Sequence, residues 1–407
     1  MKRKVAAFLV ASSLFVSADA FASDSVSQSL GIKTDLCGSF VLQSTPKAND
    51  GDDKGLSSAS YLFDLKLTKE FEEYGKLLAR FKGGRGNGLE LGGSDDKGVN
   101  TLSKVNANAD EAIEGEIEFA KVVELYYEQS ILNSKLTIDF GKLNFWSFFT
   151  ANKLADDDGT KFITGSFASD PIIDSVAQRT ALRLKYALSD KFDISYAYFT
   201  TDQDHFDACG INIAQVDFKP STNGNYRLYL WENNQVHYKY SDNASKTGSY
   251  GFGVSVDQVI NENIGLFVRF GYKDKSAGFH VTDKDGNGVA PTAFVLPKSL
   301  SWSFGAQING CVWARTKDTV GIALGQIYGS SDAKGHIATD GIYNGSNNGN
   351  YKDGAETALE VYYKFVINDY LALTPAIQYI ASPRAGNVPD NGDNNVFVYG
   401  IRTVFNF

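Results

Sequence analysis

A chain of 407 residues with a formal net charge of −9 and no basic stripe argues against a nucleic-acid partner. Its 39 Gly, 28 Phe and 21 Tyr, set against 8 Pro and a single Met, suit strands that are apolar on one side only. Cys37, Cys209 and Cys311 make no complete disulfide framework, and past residue 22 no apolar run approaches the roughly 18 residues a transmembrane helix needs.

The first element is an export signal over residues 1–22. Lys2, Arg3 and Lys4 form a basic head, Val5 to Val16 is almost wholly apolar, and Ala20-Phe21-Ala22 offers small residues for cleavage. This leaves 23–407 as the exported domain. Short polar connections then recur at 70–74, 130–133, 189–190, 220–225, 261–263, 315–318 and 368–369. Between them lie long Gly/Asp/Asn/Ser-rich segments near 45–58, 85–114, 144–177, 202–210, 233–247, 274–298, 330–354 and 383–394. The Gly-rich run Gly83 to Gly88 falls in one of these and reads as flexible chain. Segment 144–177 is different. It opens with Phe145, Trp146, Phe148 and Phe149, too many aromatics for a solvated tip, and is expected to fold into the molecule as a constriction.

The strands themselves alternate. Leu182, Leu184, Tyr186 and Leu188 oppose Arg183 and Lys185; Tyr226, Leu228 and Leu230 oppose Arg227, Tyr229 and Trp231. Leu266, Val268, Phe270 and Tyr272 oppose Arg269 and Lys273. Next, Asp283 to Gly288 begins like a calcium loop, but Phe294 stands where the bidentate Glu belongs, so no metal or cofactor is expected. In Thr357 to Phe365, Leu359, Val361, Tyr363 and Phe365 oppose Glu360 and Lys364. The last strand places Phe397, Tyr399, Ile401, Phe405 and Phe407 on one face, an ending read by the barrel assembly machinery.

Short turns at one end and long loops at the other imply an all-β, transmembrane, antiparallel β-barrel of about sixteen strands, with periplasmic turns and extracellular loops. A barrel of that size keeps an aqueous lumen, whereas about eight strands would fill with side chains. A charge facing lipid costs roughly 2–4 kcal/mol at the midplane, so parity turns Arg80, Arg183, Arg227, Arg269 and Arg402 inward, with Asp64, Glu124, Glu128, Asp257 and Glu360. Arg227, Tyr229 and Trp231 together suit a sugar, whose hydroxyls take donors and whose ring face takes an aromatic. His205, His237, His280 and His336 are scattered without a Ser partner, so the chain is not expected to be an enzyme.

Three blocks resemble the OprB family of carbohydrate-selective porins. They are Gly251 to Gln258 with Phe267 to Tyr272, then Trp302 to Gln307 continuing through Gly310, Arg315 and Asp318 to Gly321–Gly325, and Glu360 to Tyr363 with Leu373 to Ile380 and Pro383. Gly141-Lys142-Leu143-Asn144 is a fainter fourth. The resemblance implies a sixteen-stranded pore of the Gram-negative outer membrane that admits glucose and related sugars past an arginine-lined constriction. Its partners would be sugars as permeating solutes, outer-membrane lipid and the assembly machinery, and the barrel would stand as a monomer or homotrimer. The alternatives are a general or anion-selective pore, and an outer-membrane hydrolase with fewer strands.

Overall fold

The computed structural model describes residues 30–49, 54–72, 75–86, 88–89, 98–107, 121–156, 159–174, 178–201, 209–239, 246–280, 298–334, 352–387 and 394–407. The expected export signal at 1–22, the 283–288 motif, His205 and His336 lie outside them. The described strands are β1 (Ile32–Thr45), β2 (Leu56–Glu70), β3 (Lys76–Arg85), β4 (Lys121–Ile131), β5 (Leu136–Asn144), β6 (Gln178–Ser189), β7 (Phe192–Thr200), β8 (Gly210–Ser221) and β9 (Gly224–Lys239). They continue as β10 (Lys246–Asn261), β11 (Ile264–Lys273), β12 (Ala277–His280), β13 (Lys298–Asn309), β14 (Thr319–Gly329), β15 (Ala355–Val366), β16 (Leu371–Ala381) and β17 (Asn395–Asn406).

Sixteen of the 17 strands make one closed antiparallel ring. Each pairs with the next, β11 passes its hydrogen bonds directly to β13, and β17 returns to β1 in the register Val41↔Arg402 and Leu42↔Ile401. The short β12 stands outside the ring and pairs with the end of β9. Closure is what the bilayer demands, since hydrocarbon offers no partner to an unpaired N–H or C=O. No helix among the described residues is long and apolar enough to cross a membrane.

Period-two patterning decides which face meets lipid. Leu182, Leu184, Tyr186 and Leu188 of β6 are exposed, while Ala181 and Arg183, on the opposite face, are buried inside. The same outward belt continues through Leu230, Val268, Phe304, Ile322, Ile377 and Tyr399. The seven short connections fall where the sequence places them, joining β2 to β3, β4 to β5, β6 to β7, β8 to β9, β10 to β11, β13 to β14, and β15 to β16. No disulfide joins Cys37, Cys209 and Cys311.

The β13–β14 turn is a tight corner. A 3-10 turn over Gly310–Trp313 ends on Ala314 in the left-handed region, and the chain then folds so that Asp318 accepts from Arg315, from the Tyr363 hydroxyl at 2.5 Å and from the Val366 amide at 3.0 Å. The Arg315 hydrogen bond, helped by Tyr363 and Val366, holds the Asp318 carboxyl down at about 2. A depressed carboxylate stabilises the fold above the ordinary carboxylate range and loses that contribution as the pH falls through the depressed value. Asp318→Ala is therefore expected to lower unfolding resistance in detergent at pH 7, with parent and variant converging as the pH nears 2. A gap that stays constant across that range would contradict the assignment.

Candidate functional site

Two extracellular segments fold back against the inner wall, and both are held by side chains that parity turns inward. The first runs from the end of β5. Asn144 accepts from the Trp146 amide and starts a single helical turn, Phe145–Phe148. Phe145 and Phe149 are fully buried against Leu143, Ala197, Phe199 and Ile213 of the wall, with the Phe145 and Phe199 ring centroids 5.3 Å apart. Trp146 and Phe148 lie on this cluster only half-buried. The chain then descends. Asn152 donates to Ser255 and to the Val256 carbonyl, the Lys153 amide reaches Asp257 at 3.2 Å, and Gln307 donates to the Leu154 carbonyl at 2.8 Å. Gln307 is two residues from the end of β13, so the tip lies near the periplasmic turns.

From there the segment climbs the opposite wall. Glu360 accepts from the amides of Ile163 (2.9 Å) and Thr164 (2.8 Å). Arg402 donates to the Lys161 carbonyl at 2.7 Å, and Arg269 donates to the Phe167 carbonyl and to Asp156. Phe162 and Phe167 pack on Phe267 and Tyr362. Near the top, Asp170 accepts from the Tyr229 hydroxyl at 2.6 Å and from Ser301 at 3.2 Å, and Asp174 pairs with His237 at 2.6 Å.

The second segment, residues 98–107 between β3 and β4, is a finding the sequence reading did not anticipate. In the sequence, 85–114 is marked only as a long Gly/Asp/Asn/Ser-rich connection. The two segments are zipped backbone to backbone: the Ala107 amide donates to the Ile163 carbonyl (2.9 Å), and the amides of Gly165 and Ser166 to Lys104 (2.8 Å) and Ser103 (2.9 Å). Glu356 holds it by accepting from the amides of Leu102, Ser103 and Arg384, each at 2.7 Å. Gln43 and Gln378 both donate to the Val105 carbonyl at 2.8 Å. The signal for Glu356 was in the sequence, because it shares the face of Glu360 on β15; its partners were not.

Room for these segments comes from glycine. Gly253 sits opposite Tyr229 and Gly321 opposite Tyr362, and in each pair the ring lies over the glycine. A Cβ would stand 2.4 Å from the Tyr229 ring and 2.2 Å from that of Tyr362. The aromatic face so flattened against the wall is what the inner segments pack upon.

Across the lumen, β2 to β10 carry a ladder of ion pairs. Arg80 lies between Asp64 (Nε at 2.9 Å) and Glu124 (3.2 Å), and Lys76 pairs with Glu128 at 2.9 Å. Arg183 bonds Asp139 at 2.6 Å, and Arg227 bonds Asp217 (3.2 Å) and Asp257 (2.7 Å). The Arg183 guanidinium also stands over the Phe148 ring, 4.8 Å from its centroid. Thus Arg80, Glu124, Arg183 and Arg227 belong to the ladder, while Arg269, Glu360 and Arg402 are engaged by the folded-in segment. Tyr229 and Trp231 are covered by it, exposing 0 % and 4 % of their surface, so the Arg227–Tyr229–Trp231 face is not presented to the lumen as a unit.

The sequence profile described as "Carbohydrate-selective porin, OprB family" matches residues 73–226 and 211–407. Among solved structures, Pseudomonas putida OprB at high pH superposes with a TM-score of 0.75 at 18% identity, covering 96% of this chain and 97% of its own. The same protein at low pH gives 0.56 at 15% identity over the same shares. The outer membrane channel DcaP of Acinetobacter baumannii gives 0.51 at 10% identity, covering 92% of this chain and 97% of its own. At these identities the likeness is one of fold. No curated protein sequence matches significantly.

Proposed function

Because this chain belongs to the OprB family of carbohydrate-selective porins, and so is an outer-membrane channel through which sugars diffuse, we propose that its selectivity resides where segment 144–177 narrows the lumen against the ion-pair ladder. The observation that carries this reading is the stack of Phe148 and Arg183 beside the half-buried Trp146. A pyranose has an apolar ring face and an equatorial rim of hydroxyls. Trp146 and Phe148 suit the face, and Arg80 and Arg183, fixed by Asp64, Glu124 and Asp139, suit the rim. The ion pairs keep the guanidinium groups oriented without spending a conformational adjustment on each passing solute. Contacts this few also bind weakly, as release to the periplasm requires.

The remaining assignments are proposed with it. Residues 1–22 direct export and are removed. The C-terminal strand, ending in Phe407 whose amide donates to the Leu36 carbonyl at 2.9 Å, is the part the assembly machinery engages. The outward belt is covered by lipid or by sister barrels, and diffusion proceeds without catalysis.

Liposomes swollen in isosmotic glucose, against an uncharged non-sugar of equal size, test the selectivity. Trp146→Ala/Phe148→Ala is expected to cut the glucose preference roughly fivefold, since ring stacking contributes on the order of 1 kcal/mol. Should the parent barrel admit both solutes equally fast, the aromatic lane does not select sugars.

A further inference from the structure

At the periplasmic end of the ladder the basic groups, not the acidic ones, are turned toward water, an arrangement that neutral sugars do not need. Asp193, at the start of β7, receives two ammonium groups on one oxygen: Lys219 of β8 at 2.6 Å and Lys185 of β6 at 3.2 Å. Asp217 stands opposite Asp193 in register and pairs with Arg227, so the charges here balance in number. What differs between the two signs is their exposure. Side-chain exposure is 38% for Lys219, 34% for Lys185 and 32% for Lys76, but 8% for Asp193, 4% for Glu124 and 0% for Asp139. Glu128, at 25% the best exposed of these ladder carboxylates, is itself paired with Lys76. Around Asp193 and Glu128 the acidic side chains lie against the wall and Lys185, Lys219 and Lys76 stand between them and water, whereas elsewhere on the ladder Asp217 (14%) and Asp64 (18%) are exposed more than Arg227 (10%) and Lys82 (8%). The water-facing edge around Lys185, Lys219 and Lys76 is therefore basic among the described residues, although the chain as a whole carries −9.

We propose that the channel also conducts monosaccharides bearing a carboxylate, aldonates and uronates, and that Lys185 and Lys219 are the residues that favour them. This rests on the sugar-channel reading above and extends it. A sugar acid offers the same ring or polyol to Trp146 and Phe148, while its carboxylate moves from Arg183 toward the two lysines near the exit. A fixed positive charge in a low-dielectric tube raises the local concentration of anions, and two such sites in series give passage rather than capture.

Planar bilayers with potassium chloride gradients, and bi-ionic gradients of potassium gluconate against potassium chloride, decide the matter. The parent barrel is expected to favour anions and to pass gluconate measurably. In Lys185→Gln/Lys219→Gln the gluconate permeability falls roughly fivefold, about twofold for each charge at ~8 Å in water, while glucose-driven liposome swelling is unchanged. Lys185→Arg/Lys219→Arg keeps the parent value. A cation-selective reversal potential in the parent overturns the proposal whatever the variants do, and so does a gluconate permeability indifferent to the Gln pair. Failure of glucose itself to enter would instead overturn the sugar-channel reading.

Discussion

Glu360→Ala is expected to enlarge the pore. Its carboxylate accepts the amides of Ile163 and Thr164 in a fully buried position, and no other described side chain accepts from either amide. A hydrogen bond to a charged group contributes about 1.5–3 kcal/mol, so the substitution removes roughly 3–6 kcal/mol of local anchoring and leaves two buried donors unsatisfied. The wall survives, because the ring of sixteen strands does not pass through this contact. What loosens is the climbing half of the inner segment. The 103–107 strip zipped to it also loses support, although Glu356, Gln43 and Gln378 still grip that strip. Single-channel conductance should rise by about twofold or more and discrimination between glucose and an equal-sized non-sugar should fall; adding Glu356→Ala should enlarge both effects. Glu360→Gln, which keeps one accepting oxygen, should lie between. Unchanged conductance in the double variant would mean that the inner segments do not limit the passage.

Gly253→Val should be strongly damaging to the inner wall. The new Cβ would meet the Tyr229 ring at 2.4 Å, and that ring cannot swing away cheaply, because it is fully buried and its hydroxyl donates to Asp170. Overpacking costs about 1–3 kcal/mol, and losing the donor to a buried carboxylate costs a similar amount again, so roughly 2–6 kcal/mol of resistance to urea unfolding in detergent should disappear. Tyr229→Phe isolates the second part and should cost only the hydroxyl's share. Tyr229→Ala combined with Gly253→Val makes room for the branch, and should lose less than the sum of the two single changes. Strict additivity would show that the ring and the glycine do not share one space.

Much of the architecture was legible because it is local. Side chains two apart share a face of a strand, so Leu182 and Leu184 turn outward, and Arg183 inward, whatever the rest of the chain does. Short and long connections alternate because antiparallel neighbours need little chain at one end and tolerate much at the other, and from that asymmetry the strand number follows. The inward direction of Arg80, Glu124, Arg183, Arg227, Arg269, Glu360 and Arg402 was equally a matter of parity. The aromatics at 145–149 were recognisable as misplaced in a solvated loop.

What each inward residue touches was decided only by the tertiary structure. Glu356 meets the Leu102 amide 254 positions away, and Arg402 meets the Lys161 carbonyl across 241. Segment 98–107 has no apolar run to announce that it turns inward; it does so because Glu356, Gln43 and Gln378 offer it partners from strands far along the chain. Period fixes the side of a wall on which a charge stands. Whether that charge meets water, a sugar or a loop depends on which backbone amides return to it through space, and no local spacing carries that information.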